Sequence, residues 1–134
     1  MTKVYVFGPI HLFGRAYLPM YKKLVPLCRN YFDNVIATYP DFWSFKGTPK
    51  EFYKITVKKI TDCDLFIAEV TSPSLGAGME LQMAVENKIP VIALAKEGVK
   101  ISSMVLGLPT LQLVIRYKNE KDLLKKLDKV LNKW

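Results

Sequence analysis

Five short apolar runs rich in β-branched residues, separated by stretches with helical spacing, leave this chain few ways to fold. The runs are Lys3 to Gly8, Asn34 to Thr38, Leu65 to Val70, Pro90 to Ala95 and Leu111 to Ile115. Leu65 to Val70 is apolar almost throughout, as expected of a strand buried on both faces. Between the runs, Arg15 to Phe32 places Tyr17, Tyr21, Leu24, Cys28 and Tyr31 on one stripe, with Pro19 and Pro26 predicting a late start and a kink. Thr48-Pro49-Lys50-Glu51 reads as a capping box with proline at the first helical position, followed by Phe52, Ile55 and Ile60. A third helix is expected from about Gly76 to Asn87. The last begins at Asn119 and buries Leu123, Leu124, Leu127, Val130 and Leu131.

Strands alternating with helices imply a parallel sheet covered on both faces by right-handed crossovers. The simplest arrangement is one α/β domain over residues 1–134, a Rossmann- or flavodoxin-like five-stranded sheet in the order 2-1-3-4-5. In such sheets ligands bind beyond the carboxyl ends of the strands, where strands 1 and 3 diverge. That rule brings the turn at Gly8 and the turn from Ser74 to Glu80 onto one rim. Tyr39 to Gly47 is a longer aromatic loop placed to cover it.

At 134 residues, half of them hydrophobic, the chain suits one core. No run of eighteen apolar residues occurs and the sequence opens on a strand-like segment, so the expectation is a cytoplasmic protein with no membrane contact. Cys28 and Cys63 show no C-x-x-C spacing and read as reduced packing residues. The net charge of +8 suggests nucleic acid, an anionic small molecule or a lysine-rich surface. Lysines from Lys121 to Lys133 fall on a polar helix face, and no aromatics interleave with them as a platform for bases requires, which disfavours nucleic acid.

The most chemically suggestive stretch runs from Ala68 to Leu81, where a Ser/Gly-rich turn leaves the buried strand and opens a helix bearing Glu80. Near a helix amino terminus an anion is favoured, and the same field is expected to keep Glu80 ionised. An ionised carboxylate beside a sugar can attack an anomeric carbon; equally, Glu80 could merely complement the helix dipole. Gly76 and Gly78 would let the backbone approach a ligand. Ser74 either donates to a phosphate oxygen or caps the helix. Glu69 either pairs with Glu80 or, the preferred reading, ties down loop backbone. Tyr5 in strand 1 defaults to the core. In Gly8-Pro9-Ile10-His11 the single histidine is either a phosphate donor or an ordinary exposed residue. No Cys, His or Asp cluster supplies metal ligands, and no cofactor is expected. Ser102-Ser103-Met104 reads as a loop cap.

Tyr5 to Ile10, Asp64 to Thr71, Pro73 to Leu81 and Ser102-Ser103-Met104 together resemble the nucleoside 2'-deoxyribosyltransferase superfamily, and within it the 2'-deoxynucleoside 5'-phosphate N-hydrolases. The resemblance implies a dimer with shared active sites that cleaves an N-glycosidic bond without metal or organic cofactor. It implies Glu80 as a nucleophile attacking C1', with Tyr5 beside it. Gly8, Pro9, Ile10, His11, Ser74 and Gly76 would surround the phosphate, and Ser102 would reach it from the partner subunit. Serine at position 74, where the transferases carry an acidic residue, favours a phosphorylated substrate, because a carboxylate repels a phosphate dianion. Two departures stand out: the family's aspartate eight residues before Asp64 is here Thr56, which cannot act as acid or base, and the hydrolases' serine and arginine near strand 1 are here Pro9 and His11. Asp62 or Glu69 would compensate in the first case only in a geometry other than the one read here, and His11 or Arg15 would supply the positive group in the second. The expected activity is hydrolysis of a (deoxy)nucleoside 5'-monophosphate to free base and sugar phosphate; a deoxyribosyltransferase or a catalytically impaired nucleotide-binding module are the alternatives. Base preference and the choice between ribose and deoxyribose are not legible.

Overall fold

The structure, a computed structural model, describes residues 2–9 and 14–134, with side chains described for 2–9 and 18–134. The elements run β1 (Lys3–Phe7), α1 (Gly14–Arg29), β2 (Asn34–Ala37), a wide turn (Thr38–Phe42), α2 (Pro49–Ile60), β3 (Leu65–Glu69), α3 (Leu75–Glu86), β4 (Val91–Lys96), α4 (Ser103–Leu106), β5 (Leu111–Tyr117) and α5 (Glu120–Leu131). The five strands form one sheet in the order β2-β1-β3-β4-β5, with all neighbouring pairs parallel.

Burial explains the order. Every residue of β3 is buried, as its unbroken apolar run requires, whereas β2 and β5, with exposed positions, take the edges. Alternation along the strands divides the core in two. Val4, Val6, Leu65 and Ile67 pack with Tyr21, Leu24 and Cys28 of α1 and Leu123, Leu127 and Leu131 of α5. On the other face Tyr5, Phe7, Phe66 and Ala68 pack with Ile60 of α2 and Ala77, Leu81 and Ala84 of α3. That second face borders the cavity described below.

Local chemistry sets the helix starts. Thr48 accepts from the amide of Glu51 at 3.2 Å while Glu51 Oε1 accepts from the amide of Thr48 at 3.3 Å, closing the capping box. Asn119 caps α5 by accepting from the Asp122 amide at 2.9 Å. Three sequence expectations are corrected. Helix α1 starts at Gly14 despite Pro19 and Pro26, because its stripe of Tyr21, Leu24 and Cys28 buries against the sheet and outweighs propensity. Ile55 faces outward, since the buried stripe of α2 follows the i, i+4 row through Thr56 and Ile60. Ser103–Leu106 forms a short helix rather than a plain loop.

Cys28 and Cys63 are buried free thiols, both pushed up to about 12 by burial, which leaves them inert. Among the described residues no helix is long and apolar enough to cross a membrane. Lys121, Lys125 and Lys129 of α5 are exposed, and Lys126 pairs with Asp122 at 3.1 Å, so much of the positive charge lies on a solvated helix face.

Candidate active site

A cavity of about 870 Å³ opens at the carboxyl end of β1, at the switch point of the strand order. That is room for a nucleotide-sized ligand, within the roughly 300–1,000 Å³ of small-molecule sites. Glu80 and Tyr5 share its lining, together with Gly8, Pro9, Ser74 and Gly76.

Tyr5 reaches the site because its strand position points it to the α2/α3 face, where its ring stacks on Phe7 at 4.5 Å and meets Phe66 and Phe42 edge-on. Tyr5 is therefore both a core residue and part of the cavity wall. Its hydroxyl donates to Glu80 Oε2 at 2.5 Å and also bonds the side chain of Thr38, a buried residue that sequence reasoning missed. The one signal for Thr38 was its place as the last residue of the second apolar run, at the carboxyl end of the sheet. Burial, followed by the Glu80 charge, raises the Tyr5 phenol well above its usual range, so it stays a proton donor.

Glu80 is the sixth residue of α3, past the first turn where the dipole acts, so the expectation that the helix terminus keeps it ionised is corrected. Burial dominates instead and lifts its carboxyl from the usual 4.5 to about 7, with the bond from Tyr5 pulling the other way. Among the described residues it is the sole carboxylate lining the cavity, and no lysine or arginine lines it.

Ser74 takes the capping role and also lines the cavity. As the cap of α3 its Oγ accepts from the Ala77 amide at 3.3 Å, which leaves its own proton to give. The amides of Leu75 and Gly76, at the first two helical positions, have no intrahelical acceptor. A Cβ at Gly76 would meet no protein atom within 4 Å, so no packing demands glycine there, and the space it leaves belongs to the cavity. Gly78 is exposed and lies outside the lining, contrary to its expected role. Gly8 is required by space: an added Cβ would lie 2.6 Å from Tyr21 Oη and 2.9 Å from Glu69 Cβ.

Glu69 does not join Glu80. It follows Leu65 and Ile67 to the opposite face of β3, where its buried carboxylate accepts from the Thr71 amide at 2.5 Å and from the Tyr117 hydroxyl. It ties down the turn leading to Ser74, the preferred reading. Asp62 is equally remote, paired with Lys3 at 2.6 Å near the start of the strands. Ser102 caps α4 through the Met104 amide at 3.2 Å, is exposed and does not line the cavity. Ile10 and His11 lie outside the described residues, as does the side chain of Arg15. The aromatic loop does cover the site: Phe42, Trp43 and Phe45 line it with Phe52 of α2, joined by Tyr53, Met79 and Met83, which sequence reasoning missed because their helical spacing resembles ordinary packing.

Fold and cavity thus define an α/β protein with a carboxylate–phenol pair in a cleft at the topological switch point. No family model matches the chain. It is 30% identical over 110 residues to a protein of Methanococcoides burtonii named "Putative 2'-deoxynucleoside 5'-phosphate N-hydrolase 1", covering 78% of this chain and 89% of that one. A protein of the same name from Methanosarcina mazei is 40% identical over 82 residues, 61% of this chain, and there the match spans about half, 51%, of the relative's length. The chain belongs to the 2'-deoxynucleoside 5'-phosphate N-hydrolase family. In fold it is similar to the CMP N-glycosidase BcmB of Clostridium botulinum, at a TM-score of 0.72 and 21% identity, covering 96% of this chain and 99% of that structure.

Proposed function

We propose that this protein hydrolyses the N-glycosidic bond of a (deoxy)nucleoside 5'-monophosphate, releasing the base and (deoxy)ribose 5-phosphate. The observation that carries the reading is the 2.5 Å hydrogen bond from Tyr5 to Glu80 at the wall of a nucleotide-sized cavity. Held by Tyr5 through Oε2, the ionised carboxylate keeps Oε1 for attack on C1'; the base departs with the bonding pair, and water then cleaves the glycosyl ester to regenerate Glu80. The Ser74 hydroxyl and the amides of Leu75 and Gly76 provide a phosphate seat at the amino end of α3. The name that the relatives bear supports the same substrate class.

The working unit in this reading is a homodimer. Ser102 lies outside its own cavity beside Met104, 83% exposed, and Leu106, 49% exposed, an apolar surface suited to cover by a partner whose phosphate Ser102 would reach.

Release of free base from ribo- and deoxyribonucleoside 5'-monophosphates, with unphosphorylated nucleosides alongside, tests the activity. Release from monophosphates alone is expected. Exchange of an added free base into product would instead make the protein a transferase, and binding without release would make it a nucleotide-binding module.

A further inference from the structure

Thr56 sits in the middle of α2, only 5% exposed, and its hydroxyl finds no hydrogen-bond partner among the described residues although the residue lines the cavity. A helical threonine commonly returns its hydroxyl to the carbonyl four residues back. Thr61, just past the end of the same helix, does so, donating to the Val57 carbonyl at 2.8 Å. Thr56 does not. A buried hydroxyl with no acceptor is a desolvation cost without return, and valine would fill the same shape without it. The hydroxyl therefore points to a partner that arrives with the ligand.

The surroundings indicate which part of the ligand. Four residues back on the same helix, Phe52 packs edge-on against Phe42 at 5.7 Å and Phe45 at 5.2 Å, an aromatic wall continuous with Tyr5 through Phe42. Flat, uncharged and acceptor-rich, a nucleobase suits that wall, while the phosphate has its own seat on α3. We propose that the Thr56 hydroxyl donates a hydrogen bond to an acceptor atom of the nucleobase. The inference rests on the nucleotide reading of the cavity. As the glycosidic bond breaks, its electron pair passes to the base, and a fixed neutral donor stabilises that charge without giving up its proton. Beside a single carboxylate, this is leaving-group assistance by hydrogen bonding rather than by an acid.

Thr56→Val and Thr56→Ser are compared with the wild type for base release and, by calorimetry, for binding of each monophosphate. Thr56→Val is expected to lose roughly threefold to tenfold in kcat/KM, about the worth of one hydrogen bond. The loss should be equal for ribo and deoxyribo substrates, Thr56→Ser should recover most of it, and ligand-free Thr56→Val should melt no lower than the wild type. Unchanged kcat/KM in Thr56→Val overturns the proposal while leaving the hydrolase intact. So does a loss confined to ribonucleotides, which would move the contact to the 2'-hydroxyl, or a fall in melting temperature, which would mean that the hydroxyl has a protein partner. If the wild type binds nucleotides but releases no base, the hydrolase reading alone falls, and weaker binding by Thr56→Val still decides the contact.

Discussion

Glu80 is a half-buried carboxylate whose protonation straddles neutrality, and two measurable consequences follow from that alone. In the proposed mechanism the Glu80 nucleophile must be ionised, so kcat/KM should rise with pH and level off above about 7, the value to which burial lifts Glu80. A pH profile with its inflection near 4.5 would show that the carboxyl is solvated instead. Stability runs the opposite way. Between the unfolded value of 4.5 and the folded value of about 7 the native state binds the extra proton, so this contribution is present in full below 4.5 and is lost as pH rises through 7. Glu80→Gln removes the titration: it should cut turnover by at least about a thousandfold while flattening the dependence of melting temperature on pH in that window. Residual turnover near wild type would remove Glu80 from the chemistry. The place of this residue on the rim was legible from the turn and helix around it. Its elevated pKa was not, because desolvation depends on Tyr5 and the opposing walls, which only folding assembles.

At the scale of elements, the turn from β3 into α3 is the proposed phosphate seat, where Ser74 would link the stability of the helix start to ligand binding. Aspartate caps helices about as well as serine, so Ser74→Asp should leave the melting temperature nearly unchanged while its charge opposes a phosphate. Binding of monophosphates should weaken by about tenfold or more, with unphosphorylated nucleosides unaffected; calorimetry on both ligand sets checks it. The neighbouring turn after β1 is limited by space rather than charge. Gly8→Ala places a methyl against Tyr21 and Glu69, and should cost about 1–3 kcal/mol in denaturant unfolding. The capping box, the strand runs and the Gly8 turn could all be read along the chain, since each is a local pattern. The side of β3 that Glu69 occupies and the depth at which Glu80 sits were settled by strand alternation and helix packing.

For the whole molecule, the test is assembly. Met104→Glu puts a charge on the exposed apolar face of α4 without touching the cavity lining; in the shared-site reading it should yield monomers by sedimentation and lose activity together with the dimer. An active monomer would confine the site to one chain and leave Ser102 a simple helix cap. Sequence by itself determined the sheet order, the cover of helices on both faces and the rim where the cavity opens, because these follow from periodicity and crossover handedness. It also supplied Glu80, Tyr5 and Ser74 as residues to watch. Tertiary structure alone decided that Tyr5 bonds Glu80 across 75 residues of sequence, that Glu69 turns away, and that the Thr56 hydroxyl is left without a partner among the described residues. Those outcomes depend on distances between separate elements, and no local pattern in a chain encodes which polar atoms will be left facing one another, or facing nothing, once the sheet closes over them.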